Sequence, residues 1–189
     1  GDTVFRGFTS AGRFSPHEIQ VDHAGEMGLT YYRMFLLSGE KKYLTASLNI
    51  ANVLSSKITE GNNEKSIWPY RVVMDDGRIT APYGANWTGC YMLFDNLIRD
   101  SVGNVSKYLD IKQSIRSFLL QFPMKTGYWT DGHSDTDITS NTYKSNLSAS
   151  NMAICLFDYP ELDPDWKKDI PILIKWTEDN FVFRTAPGE

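Results

Sequence analysis

The densest group of potential catalytic side chains lies in the polar segment from Trp129 to Asp137. Asp131, Asp135 and Asp137 occur there together with His133, and Trp129 precedes them. Cleavage of a glycosidic bond needs a carboxylic acid and a carboxylate, and an aromatic ring beside them can stack on a sugar. The segment is therefore a candidate glycan site, with the three aspartates as catalytic residues and Trp129 and His133 as substrate-binding residues.

Two other interpretations of this segment stay open. Asp, Ser and Thr side chains commonly hydrogen-bond within their own turns, so residues 129–137 can also be a solvated structural loop. A metal site is the third interpretation, although the order of residues departs from the EF-hand pattern. We expect neither a metal nor another cofactor.

A second candidate segment runs from Trp68 to Trp87. Two short runs of strand-forming residues, 70–74 and 78–80, flank Asp75, Asp76 and Gly77, which predicts a β-hairpin with the two aspartates in its turn. The candidate substrate-binding residues of this segment are Trp68, Tyr70, Arg71, Tyr83, Asn86 and Trp87. For the aromatic residues, packing of the hairpin onto the helices is the alternative interpretation.

The third candidate group stands near the start of the first predicted helix. Asp22, His23 and Glu26 lie within five residues of one another. Acidic side chains favour helix N-termini, so at least one of them is expected to cap the helix. The others can face a cavity, which makes Asp22 and Glu26 candidate catalytic residues and His23 a candidate substrate-binding residue.

Composition limits the classes of protein to which the chain can belong. Its 189 residues are 41% hydrophobic and 22% charged, which is typical of one globular domain. The net charge of −4 argues against a nucleic-acid partner, because phosphate binding depends on clustered Lys and Arg. No apolar run is long enough for a membrane span. The two cysteines, Cys90 and Cys155, lie in apolar helical stretches and are predicted to be buried free thiols.

The spacing of apolar residues predicts an all-α domain built from repeated antiparallel helical hairpins. Residues 1–23 are expected to form an irregular lead-in. The hairpins are expected at about 24–58, 87–122 and 147–181. In each hairpin the first helix is apolar on nearly all sides and is predicted to be buried, whereas the second has a single apolar stripe. Pro171 is expected to kink or split the last helix.

The connections between hairpins are long and polar, whereas the turns within hairpins are short. A short-turned antiparallel pair returns the chain to the end at which it began. The connections at 17–26, 59–86 and 123–146 are therefore predicted to meet at one end of the domain. All three groups of candidate residues would then border one cleft, with an acid of 131–137 within about 5 to 10 Å of Asp22 or Glu26.

The run from Gly28 to Leu44 resembles the helix–turn–helix unit of the six-hairpin glycosidase superfamily. In that superfamily an inner helix ends in Gly-Asp/Glu-x-x-Tyr-Leu, which matches Gly39-Glu40-Lys41-Lys42-Tyr43-Leu44. The resemblance implies that this chain forms about half of an (α/α)6 toroid and continues beyond Glu189. An apolar face would then be covered by further hairpins or by self-association. No family catalytic motif is matched, so no catalytic residue follows from the resemblance.

The superfamily acts mainly on polysaccharides, which suggests a function. We expect a glycoside hydrolase that acts on a polysaccharide or oligosaccharide by carboxylate acid–base catalysis, in the periplasm or outside the cell. The alternative is a non-catalytic helical-repeat module that binds a glycan or protein through its long-loop face. Aromatic residues would serve either function, whereas the acids are needed only by the enzyme.

Overall fold

The computed structural model describes residues 18–73, 75–130 and 145–182, and it confirms a mostly helical domain with a small sheet. Its long helices form three antiparallel hairpins in chain order. The first hairpin contains α1 (Val21–Ser38) and α2 (Lys41–Lys57), the second α3 (Thr88–Arg99) and α4 (Val105–Gln121). A short helix α5 (Pro123–Thr126) follows, and the third hairpin contains α6 (Asn146–Asp158), a 3-10 turn (Pro160–Leu162) and α7 (Trp166–Phe181).

Local sequence signals account for several helix ends. Gly39 follows α1 with a φ of 71°, a left-handed conformation that glycine adopts without strain, and its N–H donates to the Phe35 carbonyl. Asn104 and Ser145 cap α4 and α6, each accepting a backbone N–H three residues further along the chain. Pro171, which was expected to kink or split α7, lies inside one continuous helix. It is the sixth residue of that helix, so it removes one backbone hydrogen bond, to the Lys167 carbonyl, without ending the helix.

A three-stranded antiparallel sheet lies at the start of the first hairpin, where its first strand leads into α1. The predicted β-hairpin is confirmed as β2 (Arg71–Val73) and β3 (Ile79–Ala81), with Gly77 in its turn at a φ of 72°. The third strand, β1 (Glu18–Gln20), pairs with β2 and was not predicted. The expectation of an irregular lead-in up to residue 23 is therefore wrong for residues 18–23, because β1 continues directly into α1 at Val21.

The three first helices of the hairpins differ in burial. Only Arg99 of α3 is exposed, as predicted. The prediction is wrong for parts of α1 and α6, since Leu37 is 84% exposed and Phe157 is 62% exposed. The second helices keep one wet face as expected, and five of six lysines at their starts are exposed, while Lys112 is half-buried. Helix α3 belongs to the middle hairpin and is thus more fully enclosed than α1 and α6.

Backbone hydrogen bonds bring the long connections together, which confirms the predicted topology for the described residues. The N–H of Val21 donates to the Tyr70 carbonyl at 3.0 Å, in line with the β1–β2 pairing. The N–H of Ala85 donates to the Thr130 carbonyl at 2.9 Å. The end of the 59–86 connection therefore touches the start of the 131–144 segment, and the start of α1 lies against the same connection.

Candidate functional site

The candidate site is a hydrogen-bonded group of polar side chains at the starts of α1, α3 and α6. Asp22 and Glu26 stand one turn apart near the N-terminus of α1. The helix begins where β1 ends. Its first residue is held by the hydrogen bond from the Val21 N–H to the Tyr70 carbonyl and by the pairing of β1 with β2. Asp22 is only 2% exposed, whereas the side chain of Glu26 keeps 40% of its surface open.

Two glycines let α1 and α3 approach closely at this level. A Cβ added to Gly25 would lie 2.7 Å from the backbone nitrogen of Cys90, and one added to Gly89 would lie 2.6 Å from Cγ of Glu26. Real side chains do not fit at such distances, so both positions require glycine as long as the helices keep this separation. The close packing of the helices brings the acids of α1 beside Asn86, which lies two residues before α3 begins.

The side-chain amide of Asn86 connects the two acids. Its Nδ2 donates to Oδ2 of Asp22 at 3.0 Å and lies 3.4 Å from Oε1 of Glu26. The sum of the two distances, 6.4 Å, is the largest separation that these two carboxylate oxygens can have. Asn86 itself is buried, so water does not compete freely for these bonds.

Asn151 extends this connection to the third hairpin. Its Nδ2 donates to Oδ1 of Asn86 at 3.0 Å. All three hairpins therefore contribute to one hydrogen-bond network. α1 supplies the two acids, the residues before α3 supply Asn86, and α6 supplies Asn151. Sequence reasoning identified Asp22, Glu26 and Asn86 but missed Asn151, since an asparagine in a helix has no local pattern that marks it.

The environment of Asp22 favours its protonated form. Burial raises the pKa of Asp22 from its ordinary value of 3.8 to about 6. The positive charge of His23 and the Asn86 hydrogen bond lower this pKa, and the negative charge of Glu26 raises it, but burial has the largest effect. Oδ1 of Asp22 has no hydrogen-bond partner within the part of the chain that the structure describes. An ionised carboxylate is costly to keep in such a place.

His23 and Cys90 complete the titratable surroundings of the pair. Nδ1 of the exposed His23 lies 2.9 Å from Oε2 of Glu26, so this carboxylate is held between a histidine and an amide. Burial raises the pKa of the Cys90 thiol, and the nearby negative charges of Asp22 and Glu26 raise it further. Cys90 and Cys155 are both free and buried, as predicted.

Most of the aromatic residues singled out from the sequence belong to the core. The indole N–H of Trp68 donates to the Leu54 carbonyl at 2.9 Å, and that of Trp87 donates to the Gly84 carbonyl at 2.6 Å. The buried residues that were expected to bind substrate are Trp68, Tyr70, Arg71, Tyr83, Asn86, Trp87 and Trp129. A buried ring has no free face for a sugar, so the structure supports the packing interpretation for these aromatic residues.

Arg71 and Tyr83 also belong to the packed region. Arg71 lies in β2 with its guanidinium carbon 5.5 Å from the centroid of the Tyr70 ring. The hydroxyl of Tyr83 donates to the Tyr128 carbonyl at 3.3 Å, and the two rings are in contact. Neither side chain presents its polar group to open solvent in the described part of the molecule.

Asp131, His133, Asp135 and Asp137 lie outside the described residues, so their predicted roles stay predictions. The two ends of their segment are described, however. The N–H of Ser145 donates to the Trp129 carbonyl at 2.7 Å, and Thr130 is bonded to Ala85, the neighbour of Asn86. The described residues on either side of this segment are therefore bonded to each other and to the neighbour of Asn86.

Residues 18–73, 75–130 and 145–182 contain no group of three or more His, Cys, Asp or Glu side chains arranged to hold a metal ion. The same ranges contain no helix with the length and apolar character needed to cross a membrane. Comparisons of the chain with protein-family models, with curated proteins and with solved structures found no match.

Proposed function

We propose that this chain is a carbohydrate-active enzyme, a glycoside hydrolase that acts on a polysaccharide or oligosaccharide, with Glu26 as the carboxyl group that contacts the substrate. The observation that carries the proposal is the environment of Glu26, a partly open carboxyl group that lies beside His23 and the Asn86 amide, with the buried Asp22 bonded to the same amide. Glycoside hydrolases use two carboxyl groups about 5 to 10 Å apart at the substrate, and the two carry different protonation states.

The two carboxyl groups have different surroundings, which supports different roles. Glu26 is partly open to solvent and can reach a bound sugar. Asp22 is enclosed, and its raised pKa keeps it protonated in mildly acidic solution. We assign to Asp22 the role of a buried neighbour that sets the charge around Glu26. The second carboxyl group in contact with substrate is then proposed to be Asp131, Asp135 or Asp137.

The position of the pair is the second support. The pair stands where the first helices of all three hairpins begin, at the end where the long connections meet. The proposal includes the six-hairpin glycosidase superfamily as the fold family, half a toroid as the architecture, and the periplasm or the exterior of the cell as the location. A cleft at this end would be bordered by elements from every hairpin, and spaces between helices are common ligand sites.

The test replaces Glu26 with an isosteric neutral residue. We expect Glu26→Gln to lower the release of reducing sugar from a responsive polysaccharide at least about a hundredfold, since a positioned acid or base contributes 10²–10⁴-fold. Glu40→Gln is the matched control. It makes the same chemical change in the exposed turn between α1 and α2, where Glu40 pairs with Lys42.

The activity of the control should equal that of the parent. If both variants and the parent release sugar at equal rates, the assignment of Glu26 is wrong. If a broad polysaccharide panel yields no reducing sugar at all with the parent chain, the proposed hydrolase function is wrong.

The alternative is a helical-repeat module that binds a glycan or protein without cleaving it. The burial of Asp22 favours this function, because only one carboxyl group of the described pair is open to solvent. Calorimetric titration with oligosaccharides separates the two functions. A pure binding module would bind without releasing sugar, and Glu26→Gln would change its affinity by no more than the loss of one hydrogen bond.

A further inference from the structure

Asn86 can serve the acid pair only if its side-chain amide has one orientation. The nitrogen must face Asp22 and Glu26, because an amide oxygen in that place would repel both carboxylates. Rotation of the amide by 180° would exchange the two ends with little change in shape. Something other than shape must therefore select the orientation.

The acids select it less strongly once Asp22 is protonated. The carboxyl group of Asp22 can then donate a hydrogen bond as well as accept one, and it can face either end of the Asn86 amide. The raised pKa of Asp22 means that this form is populated in mildly acidic solution. From the acid side only Glu26, at 3.4 Å, then favours the nitrogen, and a partner on the opposite side of the amide adds to that selection.

Asn151 lies on that opposite side. Its Nδ2 donates to Oδ1 of Asn86 at 3.0 Å, which leaves the nitrogen of Asn86 directed at the acids. The environment strengthens this bond, since Asn86 is buried and Asn151 is half-buried. A flipped Asn86 would place its NH2 group against the NH2 group of Asn151 as Asn151 is oriented here, and it would lose its bonds to the acids.

We propose that Asn151 is a positioning residue of the acid pair, which acts from the third hairpin by fixing the orientation of the Asn86 amide between Asp22 and Glu26. As a statement about catalysis this rests on the proposed function, but the effect on the two carboxyl groups does not require a substrate. It also gives the third hairpin a definite role. The residue contacts no reacting atom and acts only through Asn86.

The test compares two variants that add the same charge to the same turn of α6. In Asn151→Asp the carboxylate cannot donate to Asn86, so Asn86 turns its NH2 group toward residue 151 and its oxygen toward the acids. Ser150→Asp adds a carboxylate one residue away and leaves the Asn151–Asn86 bond intact. The readout is the titration of Asp22 and Glu26, followed by carboxyl 13C resonances in the folded protein.

We expect Asn151→Asp to raise the titration midpoint of Asp22 by about one pH unit more than Ser150→Asp does, because a hydrogen bond donated to the charged form is lost. Asn151→Ala, which removes the donor without adding charge, should also raise the midpoint and keeps the test possible if Asn151→Asp fails to fold. In an Asn86→Ala background, the difference between Asn151→Asp and Ser150→Asp should fall to the part caused by their unequal distances from Asp22.

Equal midpoints in Asn151→Asp and Ser150→Asp would overturn the proposal. So would a full effect of Asn151→Asp in the Asn86→Ala background, because Asn151 would then act directly rather than through Asn86. The titration does not depend on hydrolase activity, so the two experiments can fail independently. A parent chain without activity would refute the proposed function and leave the positioning of the acids to be decided by the resonances.

Discussion

Helices α1 and α3 are both rich in apolar residues, yet the structure encloses them to very different extents. α3 has hairpins on both sides and exposes only Arg99. α1 packs on α2 and α3, and its remaining side exposes Met27, Met34 and Leu37. These three residues are spaced seven and three apart, so they lie on one face. Apolar composition therefore indicates a helix that can be buried, and the number of neighbouring hairpins decides whether it is buried.

The greatest loss of stability is expected when leucine is replaced by alanine in α3, and the same replacement in α1 is its control. Leu97 in α3 is fully buried, and Leu37 in α1 is 84% exposed. Leu97→Ala should lower the free energy of unfolding by about 2 to 5 kcal/mol, because it leaves a cavity in the core. Leu37→Ala should change it by no more than about 0.5 kcal/mol. Chemical denaturation of the two variants measures both values. A large loss in Leu37→Ala would mean that another surface covers this face in solution.

The second prediction concerns how the contribution of Asp22 to stability changes with pH. The pKa of Asp22 is about 6 in the folded chain and 3.8 ordinarily, so the folded state binds this proton more tightly. The contribution of Asp22 to stability is therefore greatest below about pH 4 and falls as the pH rises to about 6. The resulting loss in the free energy of unfolding is about 3 kcal/mol.

Replacement of Asp22 by asparagine isolates this effect from the other titrating groups. The difference in unfolding free energy between Asp22→Asn and the parent should grow in favour of the variant between pH 4 and pH 7, as measured by urea denaturation. Asp169 also has a raised pKa, but it is present in both proteins and cancels in the difference. A difference that does not change with pH would show that Asp22 titrates normally.

The smallest of the three effects tests the close approach of α1 to α3. Gly25→Ala should cost about 1 to 3 kcal/mol, because its methyl group meets the backbone of Cys90. Gly28→Ala is the matched variant on the same helix. Its methyl group meets the ends of the Leu93 and Ile50 side chains and no backbone atom, and side-chain ends can shift more easily than backbone, so its cost should be lower. Thermal unfolding ranks the two, and equal costs would show that the helices separate freely at Gly25.

The sequence allowed much of the fold to be predicted, because the signals for it are local. The hairpin pattern, the end of α1 at Gly39 and the turn at Gly77 all depend on residues within a few positions of one another. Strand β1 was missed because three residues carry little periodicity, and its partner β2 lies about fifty residues further along. The exposed side of α1 was missed because it depends on which other elements are present, which no helix pattern reveals.

The candidate site could be predicted only in part. Asp22, Glu26 and Asn86 were found because acids near a helix start and polar residues in a long connection are recognisable types. The tryptophans were harder to interpret, since a polar stretch of sequence around Trp68 or Trp87 gives no sign that the ring itself is buried. Asn151 could not be found at all, because its importance lies in one hydrogen bond to a residue 65 positions away.

The bond between Ser145 and Trp129 has a consequence for how such a domain can change over evolutionary time. The described residues Trp129 and Ser145 flank residues 130–144 and are joined by a backbone hydrogen bond of 2.7 Å. Because the ends of this connection are already held together, a change in its length adds little closure entropy, about 0.6 kcal/mol for each doubling. The connection between the second and third hairpins can therefore vary in length over evolutionary time while the hairpins keep their arrangement.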